Sequence, residues 1–229
     1  MANRIVFLPT GPSAERLVDE RLVEFTWVPG MAISQGTKSV VNLHIAAKEQ
    51  LGISPLLEIS TRSPDHLGVS LSAFNLPINF ASMSVSVEVA YQSSKVFQNG
   101  GPYLDLLRKS SIEAKQDNRL KNSGELLGFE FEEIRWPLTD SPNFYDYLYI
   151  RGLLHHPEKE LLTRYQAFTD IAFNQNTTDK SIKKSFNCQA RTVAIYCSLI
   201  QRMSEQDILS YLVERSKKVV DKPTQLGLF

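Results

Sequence analysis

The sequence predicts an α+β fold, a single domain with a small sheet and a helix-dominated second half. Short runs rich in β-branched and aromatic residues cluster in the N-terminal third, RIVFL and LVEFTWV among them. Longer runs with helical periodicity crowd the second half, as in NFYDYLYIRGLL and CQARTVAIYCSLIQRM. At 229 residues, with 42% hydrophobic and 22% charged residues, the chain can bury one sizeable core.

In order, RIVFL and LVEFTWV read as strands, the second closed by Pro29–Gly30. SVVNLHIAAKEQLG sets Val41, Ile45 and Leu51 at helical spacing and stops at Gly52. PLLEIST and VSLSAFNLPI read as strands, with Ser63–Pro64–Asp65 turning between them. SVEVAYQSSKVF reads as a helix ended by Asn99–Gly100–Gly101, and Pro102 suits the start of the next. FEFEEIRW is a short strand or loop reaching Trp136–Pro137. Helices then follow in NFYDYLYIRGLL, PEKELLTRYQAF, CQARTVAIYCSLIQRM and SEQDILSYLVERSKKVVD, the last broken by Pro223.

Acids and bases balance at 25 each, so net charge gives no argument for nucleic acid or membrane. No apolar run approaches the roughly 20 residues that span a bilayer. The opening MANRIVFLPTG reads as strand and turn, not a signal peptide. Cys188 and Cys197 lie nine apart in one apparent helix, too far for a disulfide. The four histidines and two cysteines form no metal-ligand pattern, so no metal or other cofactor is expected, and a reducing cytoplasm fits best. His155 and His156 precede Pro157 at an expected helix end, where they suit the negative pole.

On one helix, Glu88, Gln92 and Lys95 at i, i+4 and i+7 fall within a stripe of roughly 60°. That stripe is either a solvated edge with an ordinary ion pair or the wall of a pocket.

Around it, LSAFNLPI, SVEVAYQSSKVF and AKQDNRLKNSG resemble the NADAR family, which includes the YbiA-like proteins. The family helix carries Glu, Gln and Lys at the positions of Glu88, Gln92 and Lys95. Val89 replaces its His, Ala73 stands where its strand often has Asn, and Asn118–Arg119 stands for its Gly-Arg. The blocks EISTRS, GGPYLDLL and FNCQAR resemble the branch that accompanies DarT-type ADP-ribosyltransferase toxins as antitoxin. The resemblance covers roughly residues 5–202 and sets the domain at 1–202, leaving a C-terminal helix (203–220) and a tail (221–229). It implies N-glycosidic chemistry: removal of ADP-ribose from the amino group of guanine in DNA, with the toxin as partner. Hydrolysis of riboflavin-pathway intermediates, or a non-catalytic antitoxin that binds its toxin, are the other readings.

For that chemistry Glu88 can move a proton. Lys95 can attack the anomeric carbon as a free amine or act as a charge. The first role needs a lowered pKa, which desolvation favours and Glu88 opposes. Trp136 can stack on a base or pack in the core. Arg119 suits a diphosphate or a solvated surface. Ser72 and Asn75 can reach ribose hydroxyls or cap local backbone. Asp146 is a second carboxylate or an exposed helix acid. Asn187 is a candidate N-cap aiming amides at an anion, with Arg191 one turn on. Cys188 reads as a structural thiol. Basic residues at 108–121 and 180–191 can meet DNA phosphates. In the tail, Gln225, Leu226, Leu228 and Phe229 resemble the peptide that docks on the DNA sliding clamp.

Overall fold

The computed structural model describes residues 1–80, 83–173 and 187–220. Strands β1 (Ala2–Pro9) and β2 (Val18–Phe25) pair antiparallel, Ala2 opposite Phe25. A late strand, β9 (Ala167–Thr169), inserts between β1 and β3 (Leu56–Glu58), parallel to β3 and antiparallel to β1. Side-chain alternation splits this sheet between two cores. Val6 and Ala167 face helix α1 (Ile33–Leu51), whereas Phe7, Leu57 and Phe168 join the larger core with α7 (Gln189–Leu199).

Helix α1 begins earlier than its periodicity suggested and buries a different stripe. Val40, Leu43 and Ala47 face the sheet and Gly36 is buried beneath the Arg62 side chain, while Val41 and Ile45 are exposed at 42% and 52%. Small residues at 36, 39, 46 and 47 allow close approach, and that decides the inward face more than bulk does.

The stretch expected as a strand at 69–78 divides. Asp65 Oδ1 accepts the Leu67 N–H at 2.9 Å and caps a short helix, α2 (His66–Ser70). Gly68 there lies so close to β3 that a Cβ would sit 1.9 Å from the Glu58 carbonyl. Only the end of the stretch is extended, as β4 (Pro77–Phe80), paired with β5 (Met83–Ser86).

The helix carrying the stripe is also shorter than expected: α3 spans Val87–Ser93, and Lys95 opens strand β6 (Lys95–Phe97). The Ser93 and Ser94 hydroxyls both turn back onto the Ala90 carbonyl. The Ser93 and Ser94 carbonyls accept from Tyr103 and Glu130 N–H at 2.9 and 2.8 Å, so the helix cannot propagate. Strand β6 pairs with β7 (Leu126–Phe131), which forms a hairpin with β8 (Ile134–Pro137) through Glu132 and Glu133, both at positive φ. Between them run a 3-10 turn at Leu104–Arg108 and helices α4 (Ser111–Gln116) and α5 (Arg119–Asn122), where one helix was expected.

Helix α6 (Ser141–Leu154) ends at His155, as the sequence suggested. PEKELLTRYQAF is not an α-helix: it forms a 3-10 turn (Lys159–Arg164) and then β9, because the sheet recruits Ala-Phe-Thr as an internal strand. Helix α8 (Glu205–Val220) packs on α6 through the buried Ile208 and Leu212. Cys188 and Cys197 are free and buried. The result is an α+β domain with three small sheets among the described residues, where one was expected. The basic residues at 180–186 and the tail with Gln225, Leu226, Leu228 and Phe229 lie outside the described residues.

Candidate functional site

A cavity of about 690 Å³ opens between α3 and the ends of β3 and β9, a volume suited to a nucleotide-sized ligand. Strands β3 and β9 are parallel, so the segments leaving them, Ser60–Arg62 and Asp170–Phe173, emerge side by side into it. Arg4 arrives from the antiparallel β1, its Nε donating to the Ile171 carbonyl at 2.8 Å. The other wall is Glu88, Tyr91 and Gln92 from α3 and Lys115 from α4. The Ser72–Phe74 segment is pinned to both neighbouring helices: Ala73 N–H donates to Gln189 Oε1 at 2.9 Å, and its carbonyl accepts from Glu88 N–H at 2.8 Å.

Ser86 Oγ caps α3 by accepting from Val89 N–H at 3.2 Å, which sets Glu88 in the first turn. Gln92 Nε2 donates to Glu88 Oε1 at 2.8 Å, and both side chains are buried. Lys115 Nζ reaches the same Oε1 at 3.4 Å. Lys95 does not line the cavity. Its Nζ sits 5.1 Å from the centroid of the Tyr91 ring, which does line it. Burial pushes the Lys95 ammonium down to about 8; Glu88 opposes this and Lys115 assists it. The conflict between desolvation and the neighbouring carboxylate is thus resolved in favour of desolvation.

The remaining sequence candidates scatter. Ser72 and Asn187 line the cavity. Asn187 does not cap α7; that position is held by Cys188, whose thiol is pushed well up by burial and so is not primed as a nucleophile. Asn75 is exposed, outside the lining, and spends its amide on the Val69 carbonyl at 2.8 Å. Arg119 is committed to Asp117 and Asp105, at 2.9 and 2.6 Å, over the Tyr103 ring. Trp136 is 2% exposed and packs between Phe144 and Tyr147, so a stacked base has no access to it. Asp146 is buried, not exposed: it accepts from Thr192 Oγ1 at 2.5 Å and lies 3.7 Å from Arg191. Arg191 also meets Glu20 at 3.2 Å and lines a separate cavity of about 520 Å³.

Sequence reading missed a carboxylate pair, Glu58 and Asp170. Asp170 lines the cavity, and Glu58, buried beneath it, accepts from Ser60 Oγ and Thr169 Oγ1 at 2.6 Å and from Ile171 N–H at 2.8 Å. Burial drives both carboxyls up, Glu58 to about 8 and Asp170 to about 6, and for Glu58 the charge of Asp170 adds to it. The available signal was an acid inside the apolar run PLLEIST, a placement tolerated only with dedicated partners.

A carboxyl whose pKa is higher folded than unfolded binds more protons in the folded state, so its contribution falls as pH rises between the two values. Two groups act in the opposite sense: His44, lowered by burial to about 4, only below its ordinary value of 6.5, and Lys95, lowered to about 8, mainly above 8. Between pH 6.5 and 8 stability should therefore fall by about 1–2 kcal/mol. Urea midpoints across that window measure it; a flat or rising profile refutes the assignment.

Three cations (Arg4, Arg62, Lys115) and two carboxylates (Glu88, Asp170) thus converge on one cavity, with a desolvated amine behind its aromatic wall. Such convergence of charges, with burial raising Asp170 and lowering Arg4, is the pattern by which functional sites are recognised. Among the described residues no His/Cys/Asp/Glu group can hold a metal ion, and no helix is long and apolar enough to cross a membrane. A search of curated proteins returned no match. The family model described as DarT1-associated NADAR antitoxin matches residues 2–223, nearly the whole chain, the Glu88–Gln92 helix and both cavity walls included. The chain therefore belongs to the DarT1-associated NADAR antitoxins.

Proposed function

We propose that this protein is a glycohydrolase that removes ADP-ribose from guanine bases of DNA and so reverses a DarT-type toxin. The observation that carries the reading is the buried Glu88–Gln92 pair beside the desolvated Lys95 amine, at a cavity of nucleotide size. With its pKa near 8, Lys95 is about one-quarter neutral at pH 7.5, whereas an ordinary lysine is about 0.1% neutral.

In the proposed sequence the opened ribose enters past Tyr91, the ring that stands between the cavity and the amine, and the neutral amine attacks its C1. The bond from C1 to the guanine amino nitrogen breaks, and guanine leaves with a proton delivered by Glu88. Water then adds to the lysine imine, returning the free amine and ADP-ribose. The testing experiment measures ADP-ribose release from an oligonucleotide carrying ADP-ribosyl guanine, with ADP-ribosyl thymine as control. Release from guanine alone supports the reading. No release from either by folded protein defeats it in favour of the small-molecule N-glycosidase or a purely binding antitoxin.

Glu88→Gln separates catalysis from binding. The amide keeps an acceptor for Gln92 but cannot move a proton, so turnover should fall by about 10²- to 10⁴-fold. Toxin neutralisation in cells should fail with it. Neutralisation that survives without turnover would establish a binding antitoxin.

The proposal extends to the tail: Gln225–Phe229 tethers the enzyme to the sliding clamp and raises its concentration at replicating DNA. Removing these five residues should abolish clamp binding in a titration; unchanged affinity ends that part.

A further inference from the structure

Among the described residues, Arg62 is the cavity cation whose side chain has no protein acceptor. Glu88 has Lys115 at 3.4 Å, and Arg4 gives Nε to the Ile171 carbonyl and Nη1 to the Asn3 carbonyl, both at 2.8 Å. The Arg62 guanidinium has neither hydrogen bond nor ion pair among the described residues; Asp170 acts on it only through space. Yet its backbone and stem are held firmly. Its N–H donates to Ser60 Oγ at 3.1 Å, and its carbonyl accepts from Thr37 Oγ1 at 2.9 Å. Its side chain crosses α1 in the notch over Gly36, where a Cβ would stand 2.3 Å from Arg62 Cδ. The protein therefore fixes the base of this arginine and leaves its five donors without an acceptor among the described residues. A planar fork held in this way suits two phosphate oxygens.

We infer that Arg62, seated over Gly36 and flanked by Arg4, is the arm that binds the ligand's diphosphate. This rests on the proposed ADP-ribose substrate, and it moves the diphosphate from Arg119, whose fork is filled by Asp105 and Asp117. Arg4 completes the subsite with Nη2, which has no hydrogen-bond or ion-pair partner among the described residues, its guanidinium lying 5.2 Å from the Trp27 ring centroid. Phosphate could come from ADP-ribose or from the DNA backbone, and the test separates the two sources.

The full chain is titrated calorimetrically with ADP-ribose, ADP and an unmodified oligonucleotide. Arg62→Gln removes the charge. Gly36→Ala keeps it but fills the notch and displaces the stem, while Ala in a helix interior favours folding. Arg135→Gln, an exposed arginine paired with Glu130, is the control. Both test variants should weaken ADP-ribose and ADP binding by roughly tenfold or more, with the oligonucleotide unchanged. Equal affinity in wild type and Arg62→Gln overturns the subsite. A loss confined to the oligonucleotide overturns it too, assigning Arg62 to the DNA backbone. The two proposals fail separately. Arg62-dependent ADP binding without release from guanine keeps the subsite and defeats the glycohydrolase; release from guanine with ADP binding indifferent to Arg62 does the reverse.

Discussion

Lys95→Arg should abolish ADP-ribose release, lowering turnover by about 10³-fold or more, while Lys115→Arg should stay within about fivefold of wild type. Both variants keep positive charge, so electrostatic attraction to the substrate is not what separates them. Arginine cannot form an imine and does not deprotonate in proteins. Lys115 is 54% exposed on its side chain and pairs with Glu88 at 3.4 Å, the position of a charge that tunes the site. Lys95 is the desolvated amine behind Tyr91, with its pKa near 8. If its neutral form attacks, kcat/KM should rise with pH and level off above about 8. Borohydride should also trap an ADP-ribose adduct on wild type and not on Lys95→Arg. Normal turnover by Lys95→Arg would end the covalent role. Loss in Lys115→Arg alone would transfer it to the other lysine.

Phe144→Ala should cost about 3–5 kcal/mol of stability and lower the melting temperature by roughly 10 °C. Phe144 is fully buried and its ring meets those of Phe129, Trp136 and Tyr91 at 4.7, 5.4 and 6.1 Å. It is the piece of α6 that backs Tyr91, whose opposite duties are to line the cavity and to sit beneath the Lys95 ammonium. A cavity behind Tyr91 should let water reach Lys95 and return its pKa toward the ordinary value. The rising limb of the kcat/KM profile in whatever fraction stays folded should then move to higher pH. Trp136→Phe removes fewer atoms from the same cluster and should cost less stability. Because Trp136 lies outside the cavity lining, it should leave KM unchanged. A Phe144→Ala protein with wild-type stability would show that the cluster does not support the site.

Local chemistry made part of this legible. Glu88 and Gln92 are four apart, and a helix of only seven residues suffices to bring them to 2.8 Å. Trp136, Phe144 and the helix of NFYDYLYIRGLL are apolar enough that burial follows from composition. Lys95 was identified for a reason that does not hold: helical spacing would put it on the stripe, but the chain leaves the helix first. The Ser93 and Ser94 carbonyls are claimed by Tyr103 and Glu130, residues 10 and 36 positions away, and no local pattern announces such partners. The same holds for β9, a three-residue strand that exists because β1 and β3 leave a gap for it.

What the sequence determined by itself was the α+β class, the family blocks and the Glu88–Gln92 pairing, because each depends on residues near one another in the chain. The tertiary structure alone decided which charges converge. Glu58 and Asp170 come from strands more than a hundred residues apart, and the parallel register of β3 and β9 brings them together. Arg119 was a candidate cation in the sequence and is spent in the fold, whereas Arg62 was unremarked and, among the described residues, is left without an acceptor over Gly36. Whether a charge is available to a ligand depends on what else has folded beside it, and that is a property of long-range packing.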